Sequence, residues 1–267
     1  LIIVFGASFS NHTGIAPYKP LIQVDYDPMA LGRFHAVDVA LQGHVGVTAR
    51  GLTDALTGEL ACQDLRAEVA QRWAIWRNEK AGRRTDDHGH GLNAAVIFEH
   101  LAHLAPADAV MCVDVGNNTY AFGRYFEVDR HEVLMSGYLG SIGFALPAAL
   151  GAWAAVGDTR KVISVSGDGG FGQYAMEFST AAKYGMNITH VLMNNSELGK
   201  ISKEQRSAQL DVWQTGLHNP DFAAFAELCG GSGYRVTADD RLEAALQRAL
   251  NDDGPSLVEI ITDPLLM

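Results

Sequence analysis

Val162-Ile163-Ser164-Val165-Ser166-Gly167-Asp168-Gly169-Gly170-Phe171-Gly172 runs from an apolar strand through a glycine-rich turn into a helix. The strand is read over 162–166, the helix over 171–184, and the next strand, over 188–193, runs into Asn194-Asn195-Ser196-Glu197-Leu198-Gly199. A strand, a helix and a strand of these lengths form a crossover unit, and such units build parallel sheets. The alternation continues outward. Upstream come a helix over 92–104, a strand over 110–114, a short helix over 118–126 and an Ala-rich helix over 142–155. Downstream come helices over 221–228 and 242–250 and a strand over 256–261. The expected fold class is therefore α/β: a six-stranded, mainly parallel, doubly wound sheet from about 91 to 267.

The first ninety residues read differently. Leu1-Ile2-Ile3-Val4-Phe5-Gly6 is expected to be a parallel strand buried on both faces. A second strand over 21–25 closes on Asp25-Tyr26-Asp27-Pro28, a third spans 37–41, and a short helix spans 47–56. Residues 63–80 turn helical, with Leu65, Val69, Trp73 and Trp76 near helical spacing, and the Gly- and charge-rich 81–91 is a linker. The expected organisation is part of a second α/β domain over 1–60, a helix and linker over 61–90, and a ligand-binding domain over 91–267. A buried strand as the first element suggests that the chain was cut from something longer.

Composition narrows the function classes. Of 267 residues, 48% are apolar, enough for a core. Acidic residues outnumber basic ones 31 to 20, and the resulting net charge of −11 speaks against nucleic acid and anionic lipid as partners. Cys62, Cys112 and Cys229 are odd in number and form no CxxC, which points to a reducing, cytoplasmic setting. No apolar stretch reaches membrane-spanning length. His88, His90, His100, His103 and His218 lack acid partners at zinc-like spacing and read as solvated or interface histidines. Trp73 and Trp76 read as part of a helix packed between domains rather than a stacking platform, and Lys200, Lys203 and Arg206 as a solvated face rather than a device for steering an acidic substrate.

Ligands of doubly wound sheets sit at the carboxyl ends of strands. Three clusters stand there: Asp114-Val115-Gly116-Asn117-Asn118, Gly167 to Gly172, and Asn194 to Gly199. The glycines at 167, 169 and 172 formally satisfy a dinucleotide fingerprint, but the acid expected at the end of the next strand is replaced by Asn194 and Asn195. Asp168 inside the loop would repel a bare pyrophosphate. A carboxylate belongs in such a loop if a cation intervenes, and Mg²⁺ commonly bridges one carboxylate to substrate phosphates. Asp168, the side-chain oxygen of Asn195 and a nearby backbone carbonyl would form the protein half of that shell.

Gly167-Asp168-Gly169 followed by Asn194-Asn195, with Asp168 and Asn195 27 positions apart, resembles the thiamine-diphosphate motif of transketolase-like and pyruvate-decarboxylase-like enzymes. The resemblance implies Asp168, Asn195 and the carbonyl of Glu197 as Mg²⁺ ligands, with Gly167, Gly169, Gly170, Leu198 and Gly199 of the two loops as cofactor-binding residues. Gly137-Tyr138-Leu139-Gly140-Ser141-Ile142-Gly143-Phe144-Ala145-Leu146-Pro147 is similar to the segment seating the aminopyrimidine. There the Gly140 carbonyl would accept from the 4′-amino group and Ile142 would hold the cofactor bent. Gly116, Asn117 and Asn118 match the loop that holds the diphosphate. The stretch from Asn219 to Ile261 follows the same family, and 1–60 resembles the second half of its middle domain. The pyruvate oxidase and acetolactate synthase branch is the most similar. Asp25 and the Asp27-Pro28 turn resemble a strand end that contacts FAD adenosine, which admits FAD in the parent.

The resemblance implies decarboxylation of a 2-oxo acid such as pyruvate, followed by oxidation or carboligation. It also implies that the glutamate activating the cofactor lies in a pyrimidine-binding domain outside this chain, which alone would be inactive and bind the cofactor weakly. The alternative is a non-catalytic cofactor-binding or regulatory module derived from such enzymes. The segment 137–151, rich in small and apolar residues, is expected at a subunit interface, with self-association of the chain and a dimeric or tetrameric parent.

Overall fold

The computed structural model describes residues 1–7, 14–58, 63–137 and 139–265, so Cys62, Tyr138 and the Met267 end of the expected domain lie outside the described residues. The chain divides into two compact units, Leu1–Glu68 and Val69–Met267.

The first unit carries a three-stranded parallel sheet, β1 (Ile2–Phe5), β2 (Leu21–Asp25) and β3 (Val39–Gln42), in the order β1-β2-β3, with α1 (Val45–Ala55) following. Leu21 and Val24 of the central strand are its buried apolar residues, and Gln23 is buried by bonding both ways to the Ala30 carbonyl and the Gly32 amide. The expectation that the opening strand is buried on both faces is corrected. β1 is an edge strand whose outward side chains stay accessible, Ile3 at 44% and Phe5 at 38%. An apolar run reads alike whether one face or two are covered.

The second unit is the larger. It comprises α2 (Arg66–Arg83, whose first residues precede the division), α3 (Ala94–Leu104), β4 (Val110–Val113), α4 (Asn117–Tyr125), β5 (Glu132–Met135) and α5 (Ala145–Val156). Then come β6 (Val162–Gly167), α6 (Asp168–Tyr174), α7 (Glu177–Lys183), β7 (Ile188–Asn194), α8 (Gly199–Ser207), α9 (Phe222–Leu228), β8 (Ser232–Val236), α10 (Leu242–Leu250) and β9 (Ser256–Ile261). The sheet order is β5-β4-β6-β7-β9-β8, and every pair is parallel. Successive residues of a strand serve opposite layers. Met111, Val113, Ile163 and Val165 pack with Phe98, Leu101 and Phe122 on one face. Val110, Cys112 and Val162 pack with Ala149 and Ala181 on the other, where Leu192 and Leu257 meet Phe171, Phe178 and Phe222. Both faces are covered, so the sheet is doubly wound as expected.

Several boundaries differ. The helix read over 142–155 begins at Ala145, because Gly140 and Gly143 take positive φ of 67° and 86° and hold Ile142 in a turn. The helix read over 171–184 is two, α6 and α7, and α6 starts three residues earlier, at Asp168. α2 runs to Arg83, three residues into the expected linker. β5, β8 and α8 were not anticipated: β5 and β8 are half-exposed edge strands with little alternation, and α8 is strongly polar. No helix among the described residues is long and apolar enough to cross a membrane.

Candidate functional site

β6 and β7 are neighbours in register, with Gly167 opposite Met193, so Asp168 and Asn195 emerge side by side at the carboxyl ends of the two strands. Next to β6 on its other side, β4 delivers Asp114 and the turn into α4. A cleft of about 320 Å³ opens above these three strand ends. Every residue expected to hold thiamine diphosphate or its cation lines it: Gly116, Asn117, Asn118, Gly140, Ile142, Gly167, Asp168, Gly169, Gly170, Asn195, Glu197, Leu198 and Gly199. Val115, Met193, Lys200, Ile201 and Glu204, to which no site role was given, line it too.

Asp168 is 2% exposed. Its Oδ1 accepts from the Gly169 amide at 3.0 Å and its Oδ2 from Asn219 Nδ2 at 2.6 Å. Burial raises its pKa above the usual carboxylate value, and the donors of Asn219, Gly169 and Ser196 work against that rise. Asn195 Oδ1 accepts from the Glu197 amide at 3.0 Å, which tightens the turn between β7 and α8 and holds the amide side chain beside the cleft. Ser196 within this turn has φ of 56°.

Asp114 does a different job. Its carboxylate is buried and accepts the backbone N–H groups of Val115 at 2.8 Å, Phe144 at 3.1 Å and Gly143 at 3.1 Å. Burial again raises its pKa, against those three donors. It therefore ties the turn carrying Gly140 and Ile142 to the end of β4. Its own carbonyl accepts from Asn118 Nδ2 at 2.9 Å and from Thr119 Oγ1. Asn118 is thus spent on shaping the loop through its side chain, and its Oδ1 faces Gly116. The amide ends of α4 and α8 both border the cleft, which suits an anion.

Close approach explains one glycine in particular. A Cβ on Gly199 would come 2.9 Å from Asn117 Nδ2 and 3.2 Å from Asn195 Nδ2, so the space between the two asparagines depends on its absence. Among the described residues no three His, Cys, Asp or Glu side chains gather to hold a metal. A cation at Asp168 would accordingly be held by one carboxylate with amide and carbonyl oxygens, leaving positions for ligand oxygens. That is a hard-oxygen set suited to Mg²⁺ rather than zinc.

Lys200 is the only Lys or Arg among the described residues lining the cleft. It pairs with Glu204 at 2.8 Å, which raises its pKa, and lies 5.3 Å from the Tyr120 ring centre. Trp76 packs within its own unit: its ring stacks on Tyr125 at 6.4 Å and its Nε1 donates to the Arg124 carbonyl. Trp73 remains 46% exposed. Sequence reading passed over His190, a fully buried histidine on β7 between Ser164 and Ser166.

A family model for the C-terminal TPP-binding domain of thiamine pyrophosphate enzymes matches residues 114–260. The acetolactate synthase isozyme 2 large subunit of Escherichia coli (strain K12) is 34% identical over 99% of this chain and 48% of its own. A Bacillus subtilis (strain 168) protein, YdaP, whose name describes it as thiamine pyrophosphate-containing, is 33% identical over 98% of this chain and 45% of its own. The catabolic acetolactate synthase of Raoultella terrigena is 30% identical over 92% and 45%. The chain thus spans about half the length of the curated relatives it matches. With the family match laid over the strand ends that build the cleft, the chain belongs to the thiamine pyrophosphate enzymes and carries their C-terminal cofactor-binding domain.

Proposed function

We propose that the cleft binds the diphosphate end of thiamine diphosphate through Mg²⁺, in an enzyme that decarboxylates a 2-oxo acid such as pyruvate and passes the remainder to an oxidant or a second carbonyl compound. The observation that carries this reading is the convergence of Asp168, Asn195 and the Glu197 turn on one cleft bordered by two helix amide ends. Bound thiamine diphosphate supplies a carbon nucleophile and an electron sink for loss of CO₂. Asp168, Asn195 Oδ1 and the Glu197 carbonyl are the proposed cation ligands. Backbone amides at Gly116, Asn117 and Gly199 would hold the phosphates, and the Gly140 carbonyl would accept from the pyrimidine amino group. Ile142 gives the thiazolium an apolar support, and Lys200 offers a cation to the substrate carboxylate.

FAD is proposed as a second cofactor, supported by an open groove in the first unit lined by Tyr26, Asp27, Pro28, Gln42 and Gly43. A flavin absorbance spectrum of the purified full-length protein tests it. Self-association is proposed too, supported by Leu139 at 82% exposure, and sedimentation tests it. Calorimetry with thiamine diphosphate decides the central reading. Binding is expected only with Mg²⁺ present and is expected to vanish in Asp168→Ala. Equal binding without any divalent cation would overturn the bridge.

A further inference from the structure

Behind Asp168 a chain of polar groups, buried except for half-buried Asn219, runs from the end of β6 past β7 to β9. Asn219 Nδ2 donates to Asp168 Oδ2 at 2.6 Å and to Asn194 Oδ1 at 2.9 Å. Asn194 Nδ2 donates to Glu259 Oε1 at 2.7 Å. Glu259 lies on β9, fully buried, and its Oε2 accepts from Arg235 Nη1 at 3.0 Å and from the Ala223 amide at 3.3 Å.

The direction of each bond follows from groups that can only donate or only accept. The Ser196 amide can only donate, and it meets Asn194 at 3.2 Å, so the Asn194 oxygen must face it. The Asn194 nitrogen then faces Glu259, which must accept. With the Asn194 oxygen turned toward Asn219, the latter can present only its nitrogen, and its second N–H points at Asp168. Both amides are locked, and Asp168 meets a donor. Were Glu259 to offer a donor instead, Asn194 would have to choose between it and Ser196.

We propose that Asn219 and Asn194 form a one-way hydrogen-bond relay through which buried Glu259 holds the Asp168 carboxylate as an oriented acceptor for the cation. Asn219 and Glu259 are thus positioning residues for the metal side of the site. The relay rests on the reading of Asp168 as a cation ligand and extends it to residues that touch neither cation nor cofactor. Asp168 has one oxygen bound to Asn219 and the other to Gly169, with the Ser196 amide as a further donor, and the carboxylate still retains a lone-pair direction for a metal.

The test measures Mn²⁺ affinity by electron paramagnetic resonance in the full-length protein with thiamine diphosphate, alongside cation-free thermal unfolding. Partners that orient metal ligands typically matter by about 10- to 100-fold in affinity. Asn219→Ala is expected near the upper end of that range and Glu259→Gln near the lower, with excess Mn²⁺ restoring cofactor binding in both. The cation-free unfolding midpoint of Asn219→Ala is expected to stay close to wild type, since its amide is only half-buried. Should Glu259→Gln fail to fold, Asn219→Ala decides alone. Mn²⁺ affinity within twofold of wild type in Asn219→Ala, while Asp168→Ala has lost it, overturns the relay and leaves the site reading standing. Wild-type affinity in Asp168→Ala overturns both.

Discussion

Replacing Gly170 by alanine probes how the site loops are locked together. A Cβ there would lie 2.2 Å from Asp114 Oδ2, well over an ångström inside ordinary contact. The Asp114 carboxylate cannot yield freely, because it is held by the amides of Val115, Gly143 and Phe144. Moving it sacrifices at least the Gly143 bond, and a hydrogen bond to a charged group contributes about 1.5–3 kcal/mol. Residual overpacking adds about 1–3 kcal/mol. Alanine's better helix propensity within α6 returns about 1 kcal/mol. The net expectation is a destabilisation of about 2–4 kcal/mol, or roughly 5–15 °C in Tm for a unit of this size. In an Asp114→Ala background the obstacle is gone, and the same substitution is expected to be neutral or mildly stabilising. A double-mutant cycle by urea unfolding should therefore show a coupling of about 3 kcal/mol. Additivity within about 0.5 kcal/mol would refute the proposed lock between β4 and α6.

Burial of His190 holds its pKa down to about 3, from 6.5. The unfolded chain then binds a proton that the folded chain refuses, so stability is lost as pH falls below 6.5. At pH 4.5 this amounts to roughly 3 kcal/mol, and urea unfolding of His190→Gln should lack that part of the acid sensitivity. Lys200→Gln is expected to raise KM for the 2-oxo acid about three- to tenfold with kcat little changed, since an exposed cation contributes binding more than chemistry. An unchanged KM removes Lys200 from the substrate path. Burial pushes the Cys112 thiol up to about 12, so iodoacetamide should leave it unlabelled in the native protein while half-buried Cys229 reacts slowly. Peptide mass spectrometry distinguishes the two.

The central strands were readable because covering both faces of a sheet favours apolar runs, as in Val110-Met111-Cys112-Val113 and Val191-Leu192-Met193. Their loops were readable because Gly, Asp and Asn cluster where a backbone must approach an anion. The edge strands β5 and β8 lack that demand and carried no comparable signal. α8 was hidden for the opposite reason: its one buried residue is Ser202, so no apolar stripe marks it. Asp114 was visible at a strand end, yet its use for the amides of Gly143 and Phe144 depends on a turn 29 and 30 residues away in sequence. Asn219 and Glu259 are further still from Asp168, and pairwise spacing says nothing of a contact set by β9 docking on β7. A turn signal exists at Asn219-Pro220-Asp221, where Asp221 caps α9, but it names a turn and not a partner.

The strand order carries a consequence for biosynthesis. β7 is flanked by β6 and β9, so the strand that presents Asn194 gains its second neighbour only after residues 256–261 have been made. A nascent chain that has already formed the glycine-rich turn still lacks Glu259 and the floor beneath Asn219. Non-local pairing of this kind is slow relative to local helix formation. The cleft is therefore among the last parts of this unit to mature, and a ligand that binds only the finished form draws chains forward by mass action. Cofactor supply during translation would then set the yield of folded protein as well as its occupancy.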